Sequence, residues 1–179
     1  WQSTRILNNA VWADLENFND QPGIAYICSK DGSLTLWFGQ YSNAKWEFEF
    51  VENIVGATST FCKCVLLNWN GNPCIFVKKA GIEISFYYKV GNTWYTKSLA
   101  SYNSIYFRAK TINNIPTCVY LYSSGTQLYY RYSALNTTSM EFEYYDLSLN
   151  TTDVGEADIA FVNNPVLVYA KHGTEVIYA

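Results

Sequence analysis

The chain has 179 residues, of which 49% are hydrophobic, 18% aromatic and only 15% charged. This composition is typical of a folded domain and excludes a disordered one, because enough apolar surface is available to form a core. Twelve basic and fifteen acidic residues give a formal charge of −3 without long like-charge blocks, so nucleic acid is not an expected partner. No stretch approaches the ~20 apolar residues of a membrane helix, and we expect no membrane span.

The chain contains four copies of one pattern, in which a proline starts an apolar strand, a glycine turn follows, and an aromatic strand runs on. The turn glycines recur every 44 to 49 residues and are Gly32, Gly81, Gly125 and Gly173. This is the period of a β-propeller blade and not of a helical repeat. The sequence therefore predicts an all-β fold.

Each copy divides into four short strands. The first strands are predicted at residues 9–14, 61–67, 105–110 and 157–162, and the second strands start with Pro22, Pro73, Pro116 and Pro165. Apolar residues two apart predict one buried face in the third strands, made of Leu34, Leu36, Ile84, Phe86, Leu128, Tyr130, Val176 and Tyr178. The fourth strands start near Trp46, Trp94 and Met140. At most one helical turn is expected, at residues 15–18.

The last copy ends at Ala179 after its third strand, and residues 1–7 have the Trp-first pattern of a fourth strand. An N-terminal strand that completes the last blade would close the ring and remove free sheet edges. We therefore predict a single four-bladed β-propeller domain over residues 1–179. Its four-stranded antiparallel blades would span residues 9–50, 57–99, 105–147, and 157–179 with 1–7. Part of a larger ring, or closure by a neighbouring chain, would leave the same pattern.

Groups that could carry catalysis are few. Glu47, Glu49, Glu141 and Glu143 alternate with aromatic residues on predicted outer strands, which indicates solvated strand faces rather than the two positioned carboxylates of a glycoside hydrolase. His172 lies in a turn, and no nucleophile motif is present. The five cysteines all lie in strand-like runs and are expected to be buried free thiols, although one disulfide is an alternative. We predict a protein that is not an enzyme and needs no cofactor or metal.

Amides recur in the turns between first and second strands. One such turn, from Asn68 to Pro73, also contains Trp69, which we expect to be exposed because a tight polar turn offers a large ring little core. Trp46 and Trp94 instead recur at one blade position, so packing should bury them. An exposed ring beside amides suits a neutral sugar. The predicted ligand-binding residues are Trp69, Asn70, Asn72, Asn113, Asn114, Asn163 and Asn164. The alternative is that these asparagines only serve turn geometry.

The whole repeat, with its proline-led strand, glycine turn, aromatic strand and Trp-led outer strand, resembles small lectin-type β-propellers of the tachylectin-like kind. The resemblance implies a propeller that binds sugars through polar turns and aromatic residues between blades. The segment from Ser29 to Trp37 also resembles the Asp box of sialidase-type propellers. Because Asp31 directly precedes Gly32, we interpret this segment as an Asp-Gly hairpin turn.

Three functions follow as hypotheses. The first is a non-catalytic recognition module that binds a glycan or a cell-surface receptor, with an extracellular, cell-surface or particle-associated location. The second is a self-assembling structural subunit of a virion, surface appendage or filament, in which the aromatic surface forms contacts between subunits. The third is a glycoside hydrolase. Glycan binding separates the first two hypotheses, since a purely structural subunit needs no sugar.

Overall fold

The computed structural model describes residues 8–55, 62–79, 83–100, 104–149, 154–162, 164–171 and 175–178. In these ranges the regular structure is antiparallel β-strand throughout, without any helix. The described part of the chain accordingly offers no long apolar helix that could cross a membrane. The chain divides into two compact units, residues 1–100 and 101–179, and each unit contains two sheets.

The first unit consists of two four-stranded sheets, each a simple up-and-down meander. The first sheet has the order β1-β2-β3-β4, with strands Ala10–Phe18, Gln21–Lys30, Ser33–Ser42 and Lys45–Ile54. The second sheet has the order β5-β6-β7-β8, with strands Lys63–Trp69, Asn72–Lys79, Glu83–Val90 and Thr93–Ala100. Residues 15–18 belong to β1 and pair with residues 21–24, so the expected helical turn there is wrong.

The second unit contains the third and fourth sheets. The third sheet has the order β9-β10-β11-β12, with strands Ser104–Ile112, Ile115–Ser124, Gln127–Asn136 and Glu141–Leu149. The fourth has the order β13-β14-β15, with strands Val154–Val162, Asn164–Lys171 and Glu175–Tyr178. Three four-stranded sheets and one three-stranded sheet are thus present in the described ranges. The predicted closing strand, residues 1–7, lies outside the described residues.

Two-residue turns join most neighbouring strands, and their conformation explains their sequences. Asn70 and Gly71 both have positive φ, and so do Asn113 and Asn114. The same holds for both central residues of the turns at residues 19–20, 31–32 and 43–44. A type I′ turn requires positive φ at both central positions, and Asn and Gly adopt it at least cost. The asparagines in these turns therefore help to set the register of the hairpins.

The strand-leading prolines occupy the second position of their strands. Pro22 pairs with Asn17, next to the pair that closes the hairpin. In an antiparallel ladder this is a non-hydrogen-bonded pair, so the missing N–H removes no bond towards β1. Pairing with β3 begins only at Gly23. The same registers recur around Pro73 and Pro116, so proline is tolerated at the corresponding position in three sheets.

The first two sheets pack against each other around one apolar core. Ile27 and Leu36 of the first sheet and Leu66, Ile75 and Val77 of the second are at most 1% exposed. The buried face predicted for the third strands is confirmed where side chains are described. Its buried members are Leu34, Leu36, Ile84, Phe86 and Tyr130, and Leu128 is half-buried.

Side chains of β1 join the first sheet to the edge of β5. The indole Nε1 of Trp12 donates to the Cys64 carbonyl and the Leu66 N–H donates to Asp14 Oδ2, both at 2.8 Å. Asn68 Nδ2 donates to the Asn17 carbonyl, also at 2.8 Å. By the alternation of the β5–β6 ladder, the backbone groups of residues 64 and 66 point away from β6. The β1 side chains therefore satisfy edge groups that the sheet itself leaves unpaired.

Candidate functional site

The amide-rich turns of two successive repeats lie next to each other in the first unit. Asn68, near the end of β5, reaches the backbone of β1 at Asn17, and its Oδ1 accepts the Gly71 N–H at 2.9 Å. A side chain placed on Gly71 would come within 3.6 Å of the Asn19 amide nitrogen. The β1–β2 and β5–β6 hairpins thus form one continuous polar surface.

An open cavity of about 400 Å³ lies at the β1–β2 hairpin, and we call it the hairpin cavity. Its lining residues are Leu15, Glu16, Asn17, Asp20 and Pro22. Leu15 is 64% exposed although it is fully apolar. The cavity therefore combines an exposed apolar patch with planar amide and carboxylate groups. A pyranose ring is complementary to such a surface, because it has an apolar C–H face and polar hydroxyl groups.

Trp69 does not have the exposure predicted for it. The residue is the last of β5, pairs with Asn72, and is half-buried like Trp46 and Trp94, so the expected contrast between these tryptophans is wrong. Its ring meets the Tyr88 ring edge-on with centroids 6.4 Å apart, and its Nε1 is shielded from solvent without a hydrogen-bond partner in the described part of the chain. β5 extends up to the two-residue turn, so Trp69 packs against Tyr88 of β7 instead of lying in a loop.

Trp94 shows the packing that recurrence predicted. Its ring contacts Phe38 of the first sheet with centroids 5.8 Å apart, and it lies against the core between the two sheets. Trp46 instead stacks on Phe48 and meets Tyr41, both within its own sheet. A position that recurs in sequence thus has different neighbours in the two sheets.

The predicted asparagines are distributed over separate hairpins. Asn70 and Asn72 are exposed and lie with Trp69 in the β5–β6 hairpin, where Asn72 Nδ2 donates to the Asn70 carbonyl at 3.2 Å. Asn113 and Asn114 form the exposed turn at the corresponding place in the second unit. Asn164 begins β14, and Asn163 lies outside the described residues. Positive φ at residues 70, 113 and 114 favours the alternative that these three serve turn geometry.

A second cavity, of about 340 Å³, lies on the face of the first sheet that points away from its core. We call it the aromatic cavity. Trp37 stacks on Tyr26 with an interplanar angle of 16°, and Phe48 meets Tyr26 edge-on. Asn8, Cys28, Lys30 and Thr35 complete the lining. This site was not predicted from the sequence. A signal that could have found it is that no tryptophan recurs at the position of Trp37 in the other repeats.

A third cavity, of about 280 Å³, is lined by Glu47 and Glu49, two of the four glutamates considered for a hydrolase. Glu47 pairs with Lys45 at 2.7 Å, and Glu49 pairs with Lys89 at 2.6 Å. Both carboxylates in this cavity are therefore engaged in salt bridges with lysines.

The cysteines are free thiols, as expected, and four of the five are buried. Burial raises the pKa of Cys62 to about 11 and raises that of Cys64 well above its ordinary value. Arg131 is bound through two hydrogen bonds of 2.7 Å to Asp146, and its guanidinium also lies over the Tyr144 ring. The buried thiols and the Arg131 guanidinium are therefore engaged in contacts within the protein.

No family model matches the chain, and no curated protein sequence does either. Among solved structures, the chain is similar to the NanB sialidase from Streptococcus pneumoniae, crystallised in complex with 2-[(3-chlorobenzyl)ammonio]ethanesulfonate, with a TM-score of 0.53. The match has 14% sequence identity and covers 88% of this chain but 27% of the sialidase chain, so this chain spans about a quarter of that protein's length. At this identity the likeness concerns the fold alone, and relates these antiparallel sheets to those of a propeller sialidase.

Proposed function

We propose that the protein is a non-catalytic recognition module that binds carbohydrate, free or on a surface receptor, at the hairpin cavity. The observation that carries the proposal is the juxtaposition of two amide-rich hairpins, bridged by the Asn68–Asn17 hydrogen bond, beside a cavity with exposed Leu15. Planar amides and carboxylates bind pairs of sugar hydroxyls, and an apolar patch receives the C–H face of the ring. Asn70, Asn72 and the turn at Asn113 and Asn114 would extend or repeat this surface.

The proposed scaffold is a single four-bladed propeller over residues 1–179, closed by the strand at residues 1–7. Three features support it: the four-fold sequence repeat, the shared register of the three four-stranded sheets, and the likeness of fold to a propeller sialidase. An extracellular, cell-surface or particle-associated location is part of the proposal, because that is where glycans are displayed.

Absence of catalysis is also a proposal, and it is supported by the lysine partners of Glu47 and Glu49. Retaining or inverting hydrolysis needs one carboxyl group that is protonated at the working pH and a second that is ionised. Glu47 and Glu49 are each engaged in a salt bridge with a lysine, so neither is left free to act on a glycosidic bond. A hydrolase would therefore have to use other groups.

A second function, self-assembly as a structural subunit, is favoured by a separate observation. Outer strands carry aromatic side chains that are largely open to solvent, with Tyr95 48%, Tyr144 59% and Tyr145 66% exposed. Exposed tyrosines are frequent in protein interfaces, where they bury area at a low entropic cost. Sedimentation velocity over a wide concentration range tests this function, because a recognition module that acts alone stays monomeric.

The test of the first function is a glycan array, followed by titration of the sugars it identifies. Leu15→Ser and Asp20→Gly should each weaken binding by about three- to tenfold, the equivalent of one lost contact or hydrogen bond. Glycine keeps the positive φ of residue 20. Asp31→Gly is the matched control, since Asp31 is exposed, has φ 51° and lies in the turn at the opposite end of β2. Unaltered binding by both variants would place the ligand elsewhere and refute the hairpin cavity as the site.

A further inference from the structure

The aromatic cavity holds a rigid ring platform that the hairpin cavity lacks. Trp37 Nε1 donates to Thr35 Oγ1 at 2.9 Å, and the indole is further held by its stack on Tyr26 and by an edge contact with Phe50 at 5.5 Å. Trp37 is half-buried, and Phe48 beside it is 38% exposed. Because the indole N–H is already bonded within the protein, the ring is fixed in place before any ligand arrives, which lowers the entropic cost of binding.

The charge at this cavity is different from that at the other two. Among the described residues, Lys30 is the only charged residue that lines this cavity, and it forms no ion pair with another described residue. The hairpin cavity is lined by Glu16 and Asp20, and the third cavity by two glutamates as well as a lysine. An anionic ligand would be repelled by carboxylates at those two cavities and attracted by the ammonium group at this one.

We propose that the aromatic cavity binds a pyranose sugar that carries an anionic substituent, as a uronic acid or a sulfated sugar does. The apolar face of the ring stacks on Trp37 and Phe48, and the anionic group pairs with the Lys30 ammonium. Asn8 and Thr35 supply further hydrogen-bonding groups for the hydroxyls. A nucleotide fits less well, because binding of a phosphate backbone draws on several cationic groups and this cavity offers one.

The proposal does not depend on the hairpin cavity, and one titration series separates the two. The probes are methyl β-glucuronide, glucose 6-sulfate, methyl β-glucoside and adenosine monophosphate, each titrated into the full chain by NMR. At low salt the two anionic sugars should bind about two- to fivefold more tightly than the glucoside, the preference expected for one exposed ion pair. Salt at 0.5 M should remove that preference by screening. Leu15→Ser should leave it unchanged.

Variants assign the preference to named groups. Lys30→Gln should remove the preference for anionic sugars, and Lys30→Arg should keep it. Lys45→Gln is the control, because Lys45 is an exposed lysine of the same sheet that lies outside the cavity lining. Thr35→Val, which removes the acceptor of the Trp37 N–H, should weaken all sugars alike without changing their order.

Cys28 gives an independent readout, since it lines the cavity and is the one cysteine that is partly exposed. Glucuronide should slow its alkylation by iodoacetamide in the parent protein, and Lys30→Gln should lose this protection at the same ligand concentration. A preference for anionic sugars that persists in Lys30→Gln would overturn the proposal. Equal affinity for glucoside and glucuronide would also overturn it, as would tighter binding of the nucleotide than of either anionic sugar.

Discussion

Replacement of Asp14 should lower the free energy of unfolding more than replacement of an exposed carboxylate, because Asp14 links the two sheets of the first unit. The Asp14 carboxylate accepts the backbone N–H of Leu66, and Leu66 is 1% exposed, so Asp14→Ala leaves that donor without its partner in a buried strand edge. A hydrogen bond to a charged group contributes about 1.5–3 kcal/mol, and this is the loss in unfolding free energy that we expect. Asp14→Asn keeps an acceptor of similar shape and should lose only about 1 kcal/mol.

Urea denaturation followed by circular dichroism measures both losses, provided that the m value is unchanged. Asp31→Asn serves as the control, because this exposed turn residue undergoes the same chemical change, and its effect should stay within about 0.5 kcal/mol. If Asp14→Ala cost less than about 0.5 kcal/mol, the contact between β1 and β5 would contribute nothing to stability. The Asp14 carboxylate would then not stabilise the edge of β5.

Three further outcomes are expected. Iodoacetamide at pH 8 should label Cys28 alone in the folded protein, because the other four thiols are buried and burial raises their pKa values. A second adduct found by mass spectrometry would contradict this. Hydrogen bonds from Arg131 lower the pKa of Asp146. Their contribution to stability should therefore be present above the ordinary aspartate pKa of about 4 and be lost as the pH falls below it. Asp146→Asn should flatten that part of the profile of melting temperature against pH. Gly23→Ala should cost about 1–3 kcal/mol in urea, because the added Cβ would lie 2.6 Å from the buried Phe18 ring; an unchanged midpoint would show that the ring moves aside freely.

Local pattern predicted the meander well. A period of two, a proline near the start of each second strand and a glycine or asparagine in most turns are local sequence features. They were sufficient to predict that Leu34, Leu36, Ile84 and Phe86 lie on buried strand faces. The helical turn at residues 15–18 was wrong because pairing with the following strand overrides weak local preference. The predicted strands were shorter than those in the structure for the same reason, because strand pairing continues up to the two-residue turns.

The candidate sites were less predictable. Trp69 was expected to be exposed because its sequence neighbours are polar, yet the ring that contacts it, Tyr88, comes nineteen residues later in the chain. The hydrogen bond from Leu66 to Asp14 joins residues 52 apart and follows no periodic pattern. The aromatic cavity brings Lys30, Trp37 and Phe48 together from three different strands, and no local sequence pattern predicts that combination. The non-recurrence of Trp37 is a sequence signal that could have indicated this cavity, but it was not used.

The two-residue turns also bear on how the chain reaches its native state. Within each sheet every strand pairs with the next strand in the chain. Even the outermost pair of the β1–β2 hairpin, Ala10 with Cys28, joins residues that are near in sequence, so each pairing closes only a short loop. Short loops cost little entropy, and topologies rich in local contacts fold fast. Individual sheets should consequently form early and independently, in the manner of repeat proteins. The slow, cooperative event is then the docking of preformed sheets, which depends on long-range side chains such as Trp12 and Asn68.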